Sequence, residues 1–62
     1  MEWLFEVGEI LELENADGMK MVCRILHRTT VEGCKIYLVQ LDTGLVTTYS
    51  EDYLNEQCAI SY

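Results

Sequence analysis

C-K-I-Y-L-V-Q-L, running from Cys34 to Leu41, is the stretch on which the fold turns. Its residues are nearly all apolar or β-forming, and it stops at D-T-G, a turn sequence. Strand alternation puts Tyr37, Val39 and Leu41 on one face and Ile36 and Leu38 on the other. A strand that is apolar on both faces is central in its sheet, or has its second side covered by something else.

Working outward, V-E-G precedes this strand, D-T-G follows it, and A-D-G lies further upstream. These turns separate strands expected at Glu9–Glu14, Met19–Thr30, Cys34–Leu41 and Leu45–Tyr49. Gly18, Gly33 and Gly44 each stand third in a three-residue loop, the position that needs positive φ. Loops of that form set Leu13 opposite Met21 and Leu11 opposite Cys23, with Glu14 opposite Lys20 and Ile10 opposite Arg24. They also set Ile25 opposite Val39, His27 opposite Tyr37, and Leu26 opposite Leu38, with Arg28 facing Ile36. In the last hairpin they set Leu41 opposite Leu45, Val39 opposite Thr47, and Tyr37 opposite Tyr49. One face then carries Leu11, Leu13, Met21, Cys23, Ile25, Tyr37, Val39, Leu41 and Leu45. A two-residue loop at any turn would invert the partner strand and mix the faces. The expectation is an antiparallel meander.

Outside the meander, Trp3, Phe5 and Val7 alternate with Leu4 and Glu6 as an extended arm. Ser50 followed by Glu51, Asp52, Tyr53 and Leu54 reads as an N-cap with acids in the first turn, with room for one helical turn. The tail alternates Cys58, Ile60 and Tyr62 against Gln57, Ala59 and Ser61, a last strand placed to pair with the first.

Y-L-V-Q-L-D-T-G-L-V-T-T-Y-S-E-D-Y-L, Tyr37 to Leu54, resembles the end of Tudor- and KOW-type SH3-like domains. Strand, D-x-G turn, strand and acidic helical turn with leucine follow one another in both. The resemblance runs from about Val7 to Ile60. It implies an all-β fold: a small SH3-like five-stranded antiparallel barrel with one short helical turn before the last strand. The whole chain, residues 1–62, is then a single domain. The A-L-Y-D-Y type run of peptide-binding SH3 domains, the glycine-led KOW turn and a basic groove are all missing. The fold hosts many unrelated activities, so it does not define one here.

Composition narrows the classes. Eleven acids against four bases give a formal charge of −7. Such a field repels phosphate backbones and attracts basic surfaces, so direct nucleic-acid binding is disfavoured. Acidity also serves solubility alone in many small domains. Cys23, Cys34 and Cys58 form no C-x-x-C pair and no zinc spacing, which reads as reduced thiols in a cytoplasmic protein. The N-terminal M-E-W-L-F-E-V-G-E carries acids where a signal peptide is basic, and no long apolar run marks a membrane span. A chain this short buries only about 60% of its unfolded surface, so a partner subunit would supplement a thin core.

Candidate sites follow. The only histidine, His27, lies about 13 Å along its strand from Cys23, too far for a nucleophile–base pair, and is expected half-buried beside Tyr37. No catalytic motif, phosphate loop, metal box or cofactor site occurs, and an enzyme is not expected. Trp3, Tyr37, Tyr49 and Tyr53 form a candidate aromatic cluster. The resemblance to Tudor domains implies a cage for a methylated amine, and a plain cross-strand Tyr37–Tyr49 core pair is the competing reading. Val22, Leu26, Ile36, Leu38 and Val46 share the second sheet face with Lys20, Arg24 and Arg28. This face is either an interface with a partner or a second copy, or it is covered by Trp3–Phe5 or by strand bending. Glu9, Glu12, Glu14 and Asp17 line the first strand and turn, and Glu51, Asp52 and Glu56 crowd the helical turn. Pairing of the last strand with the first brings these groups together. Carboxylates about 6 to 7 Å apart along a strand imitate phosphate spacing.

The functional expectation is a non-enzymatic protein-binding module. Its most concrete form is a small acidic accessory or inhibitor protein, of phage or mobile-element type. It docks on a basic, nucleic-acid-handling protein as a nucleic-acid mimic. The alternative is a Tudor- or KOW-like reader of a small cationic ligand or of nucleic acid.

Overall fold

The computed structural model describes residues 2–14 and 17–61. Its elements are β1 (Ile10–Glu14), β2 (Lys20–Val31), β3 (Cys34–Leu41), β4 (Val46–Ser50), α1 (Glu51–Gln57) and β5 (Cys58–Ser61). The protein is therefore mostly antiparallel sheet with one short helix, an all-β fold. The strands lie in the order β4-β3-β2-β1-β5, with β3 inside the sheet as its two apolar faces require.

The first hairpin has the expected register, Leu13 opposite Met21 and Leu11 opposite Cys23. Of its A-D-G turn, Ala16 lies outside the described residues. The third hairpin is also as expected, with Tyr37 opposite Tyr49 and Val39 opposite Thr47. Its loop closes through Leu41 N to Leu45 O at 2.8 Å and Gly44 N to Leu41 O at 2.9 Å, with Gly44 at φ 94°. A β-carbon at that φ would meet its own backbone, which is why glycine ends the loop.

The second hairpin departs from expectation. Val31 pairs with Cys34, so the loop is the two residues Glu32 and Gly33, both at positive φ (52° and 81°). That is a type I′ geometry, whose twist suits a hairpin. The face inversion that a shorter loop imposes is cancelled by a bulge at Leu26, between Ile25 and His27. Ile25 therefore still meets Val39, but beyond the bulge the partners shift by one. His27 faces Leu38 rather than Tyr37, and Arg28 faces Tyr37 rather than Ile36. His27 is exposed instead of half-buried, and Arg28 moves to the core side.

The bulge also bends the strand. Twelve residues of straight strand would span about 36 Å, whereas the longest dimension of the whole molecule is 31 Å. A bulge accentuates local twist and bend, and it lies just past Cys23 and Arg24, the residues that pair with both β1 and β3.

The core consists of Phe5, Leu11, Leu13, Cys23, Ile25, Tyr37, Val39, Leu41 and Leu54. Two expected members differ. Met21 is half-buried at its edge, and Leu45 is 60% exposed because it directly follows the Gly44 turn, at the end of the sheet. Two unexpected members, Phe5 and Leu54, cap the core from the N-terminal arm and the helix. Ser50 caps that helix, its hydroxyl accepting the Tyr53 amide at 3.1 Å. The helix runs for seven residues rather than one turn, because Leu54 is wholly buried and anchors it.

Candidate functional site

The N-terminal arm does not cover the second sheet face. It turns toward the core side, where Tyr37 and Glu51 supply partners for its backbone. The Phe5 amide donates to the Tyr37 hydroxyl at 3.3 Å, and the Leu4 amide donates to Glu51 Oε2 at 3.0 Å. Arg28 Nη1 donates to the Phe5 carbonyl at 3.0 Å and approaches Glu6 at 3.6 Å. Its guanidinium also stands 5.3 Å from the Trp3 ring centre. Trp3 and Phe5 both meet Tyr37 edge-on, at 5.7 and 5.5 Å.

Glu51 is the hub of this corner. Oε2 accepts the Tyr37 hydroxyl at 2.6 Å as well as Leu4, and Oε1 accepts Lys35 Nζ at 3.4 Å. Partial burial pushes the carboxyl up. The bonds from Tyr37, Leu4 and Lys35 outweigh that and hold it below its usual range. The same burial, helped by the bond to Glu51, pushes the Tyr37 phenol up to about 12. Nothing in the sequence pattern separates Glu51 from its neighbour Asp52. Only the fold makes one a structural ligand and leaves the other exposed.

The four candidate aromatics form two pairs, not one cage. Tyr37 is fully enclosed with its hydroxyl engaged, and Trp3, beside it, already holds the Arg28 cation. Tyr49 and Tyr53 stack separately at 4.7 Å, with Tyr53 on the surface.

Among the described residues the second face of the sheet is open on its β2–β3–β4 side, while Glu12 and Ile10 on β1 are mostly covered. The helix docks on the core side through Leu54. Val22, Leu26 and Val46 are exposed, and Ile36 and Leu38 are half-buried between their neighbours. A shallow pocket of about 190 Å³ opens there, lined chiefly by Ile10, Val22, Arg24, Gln40 and Asp42.

The acids divide as well. Glu12 is not a free surface charge: its side chain is 13% exposed and pairs with Lys20 at 3.5 Å. Glu9 is half-buried and its Oε1 accepts the Glu6 amide at 3.0 Å. Glu14, Asp17, Asp52 and Glu56 face solvent. Leu13 pairs with Cys58, so β1 ends beside the C-terminal end of α1, and Glu14 and Glu56 share one end of the molecule. Asp52 and Glu56, four apart, lie on one helix face. Three of the four basic side chains pair with carboxylates of the same chain, as Lys20–Glu12, Arg28–Glu6 and Lys35–Glu51, with Lys20 and Glu6 on the surface.

Cys34 is exposed and Cys23 is buried. Burial, then the neighbouring Cys58, pushes the Cys23 thiol up, which keeps it protonated and unreactive. Among the described residues no group of three or more His, Cys, Asp or Glu is placed to hold a metal ion. No helix among them is long and apolar enough to cross a membrane. Comparison with protein-family models, with curated proteins and with solved structures finds no match to this chain.

Proposed function

We propose that this protein is a non-enzymatic binding module that docks on a basic, nucleic-acid-handling protein and occupies the groove meant for nucleic acid. The observation that carries the reading is the pairing of the bases. With Lys20, Arg28 and Lys35 each beside a carboxylate of the same chain, no cluster of free cations among the described residues offsets the net charge of −7. Glu14, Asp52 and Glu56 are among its exposed representatives, Asp52 at the start of α1 and Glu56 near its end. Such a field draws in a cationic partner and repels phosphates. The open apolar face, with Val22, Leu26 and Val46, supplies buried area to the same contact or to a second copy of the chain.

For the architecture we propose an SH3-like barrel. The strand order, a helix between β4 and β5, and a long β2 bent at a bulge all support it. Two aromatic pairs in place of a four-ring cage favour the docking module over a reader of methylated amines.

The test uses purified basic nucleic-acid-binding proteins against the immobilised chain. Binding is expected to weaken steadily with salt and to be displaced by duplex DNA. The triple variant Glu14→Lys, Asp52→Lys, Glu56→Lys is expected to lose it by roughly a hundredfold or more, from several charge contacts of about 1 kcal/mol each. Binding that ignores the triple variant, or tight binding of DNA or RNA by the chain itself, rejects the proposal.

A further inference from the structure

β4 heads the strand order, so one of its sides is an edge. The phase of its hydrogen bonds follows from the adjoining turn. The Leu41 amide donates to the Leu45 carbonyl, and antiparallel pairs alternate, so Thr47 and Tyr49 bond inward to β3. The backbone N–H and C=O groups of Val46 and Thr48 therefore point away from the sheet. Edges of this kind are ordinarily guarded by a lysine, a proline, a bulge or a covering element. V-T-T-Y-S has no charge and no proline, and its pairing with β3 shows no bulge. Negative charge frames it instead: Asp42 is exposed in the turn before β4, and Asp52 is exposed in the helix after it. Exposed Tyr53, stacked on Tyr49, adds a π-face at the helix end.

From this placement we infer that the free edge of β4 receives an extended, basic segment of the partner protein as an added strand. Its backbone pairs with Val46 and Thr48, and cationic side chains at its two ends meet Asp42 and Asp52. The inference rests on the docking function proposed above and names its mode. Main-chain pairing gives such a contact affinity, and the flanking charges give it selectivity.

The probe is a synthetic peptide, K-K-V-T-V-T-V-K-K, titrated into the full chain while amide exchange is followed by NMR. Two companions are used: the same peptide N-methylated at alternate core amides, and one with glutamates in place of the lysines. The lysine peptide is expected to slow exchange at the Val46 and Thr48 amides. Both companions are expected to bind at least about tenfold more weakly, since one lacks the backbone donors and the other the charge. Thr48→Pro removes an outward amide without touching the inward ladder and is expected to abolish binding. Val46→Lys, which installs the missing guard, serves if the proline variant does not fold. Equal binding by the N-methylated peptide, with no protection at Val46 and Thr48, overturns strand addition and leaves the acidic docking function standing. Failure of the lysine peptide to bind at low salt also overturns it, and the docking function then rests on the triple variant alone. Protection of Val46 and Thr48 that grows with protein concentration, without peptide, makes a second copy the occupant and overturns the inference too.

Discussion

The Tyr37 hydroxyl donates to Glu51 at 2.6 Å while accepting the Phe5 amide at 3.3 Å, so one phenol ties strand, helix and N-terminal arm together. Tyr37→Phe removes both bonds at a buried site and is expected to lower stability by about 1–3 kcal/mol, measured by urea unfolding. The phenol's pKa is raised in the fold from 10.0 to about 12. Its contribution is therefore complete below pH 10 and declines as the pH climbs through the folded value. Glu51, held below its usual range, acts in the opposite window: its contribution is present above the ordinary carboxylate pKa and is lost on acidification through the folded value. The phenylalanine variant is expected to show a shallower alkaline limb; an unchanged limb would mean that Tyr37 does not set it. Glu32 stores the opposite kind of energy. It holds φ 52° without being glycine, in a turn that prefers asparagine there. Glu32→Asn is expected to raise stability by about 0.5–1 kcal/mol in the same assay. The alternation of β3 foretells that Tyr37 is inward. Sequence spacing cannot foretell that Glu51, fourteen residues on, meets its hydroxyl.

At the scale of elements, the registers of the first and third hairpins were legible because glycine position and hydrophobic alternation agree. The second hairpin was half legible. V-E-G offers the same glycine, yet the loop takes only Glu32 and Gly33, and the lost residue reappears as a bulge at Leu26. Loop and bulge compensate, so Ile25 and Val39 stay in register and the core composition gives no sign of the exchange. Only the half of β2 beyond the bulge, where His27 and Arg28 change faces, records it. The helix shows a different limit. Its N-cap and acidic first turn are plain in S-E-D-Y-L, but its length depends on how deeply Leu54 docks. Its last turn contains no base and ends near Glu56, which opposes the helix dipole. Glu56→Lys is expected to stabilise the protein by about 0.3–1 kcal/mol while weakening its attachment to a basic partner. Thermal melts and binding on the same sample separate the two effects. A variant that loses stability would show that Glu56 has a structural partner.

For the whole molecule, charge is the property the composition states most clearly and the fold sharpens. Two effects of salt compete. The three ion pairs are partly exposed, and each contributes about 0–1 kcal/mol that salt screens away. Against them, a net charge of −7 is gathered into a body with radius of gyration 11.0 Å. An unfolded chain of this length has a radius of gyration of about 24 Å. Treating both as charged spheres in water puts the extra self-repulsion of the folded state at about 3 kcal/mol at low salt, shrinking as the screening length falls. Repulsion outweighs the pairs, so the melting temperature is expected to rise as sodium chloride goes from low to moderate concentration. The same salt is expected to weaken docking on a basic partner, giving opposite trends for stability and affinity. A melting temperature that falls with salt would mean that the internal pairs dominate. The excess acidity would then no longer be a strain on the fold that calls for a cationic partner to relieve it.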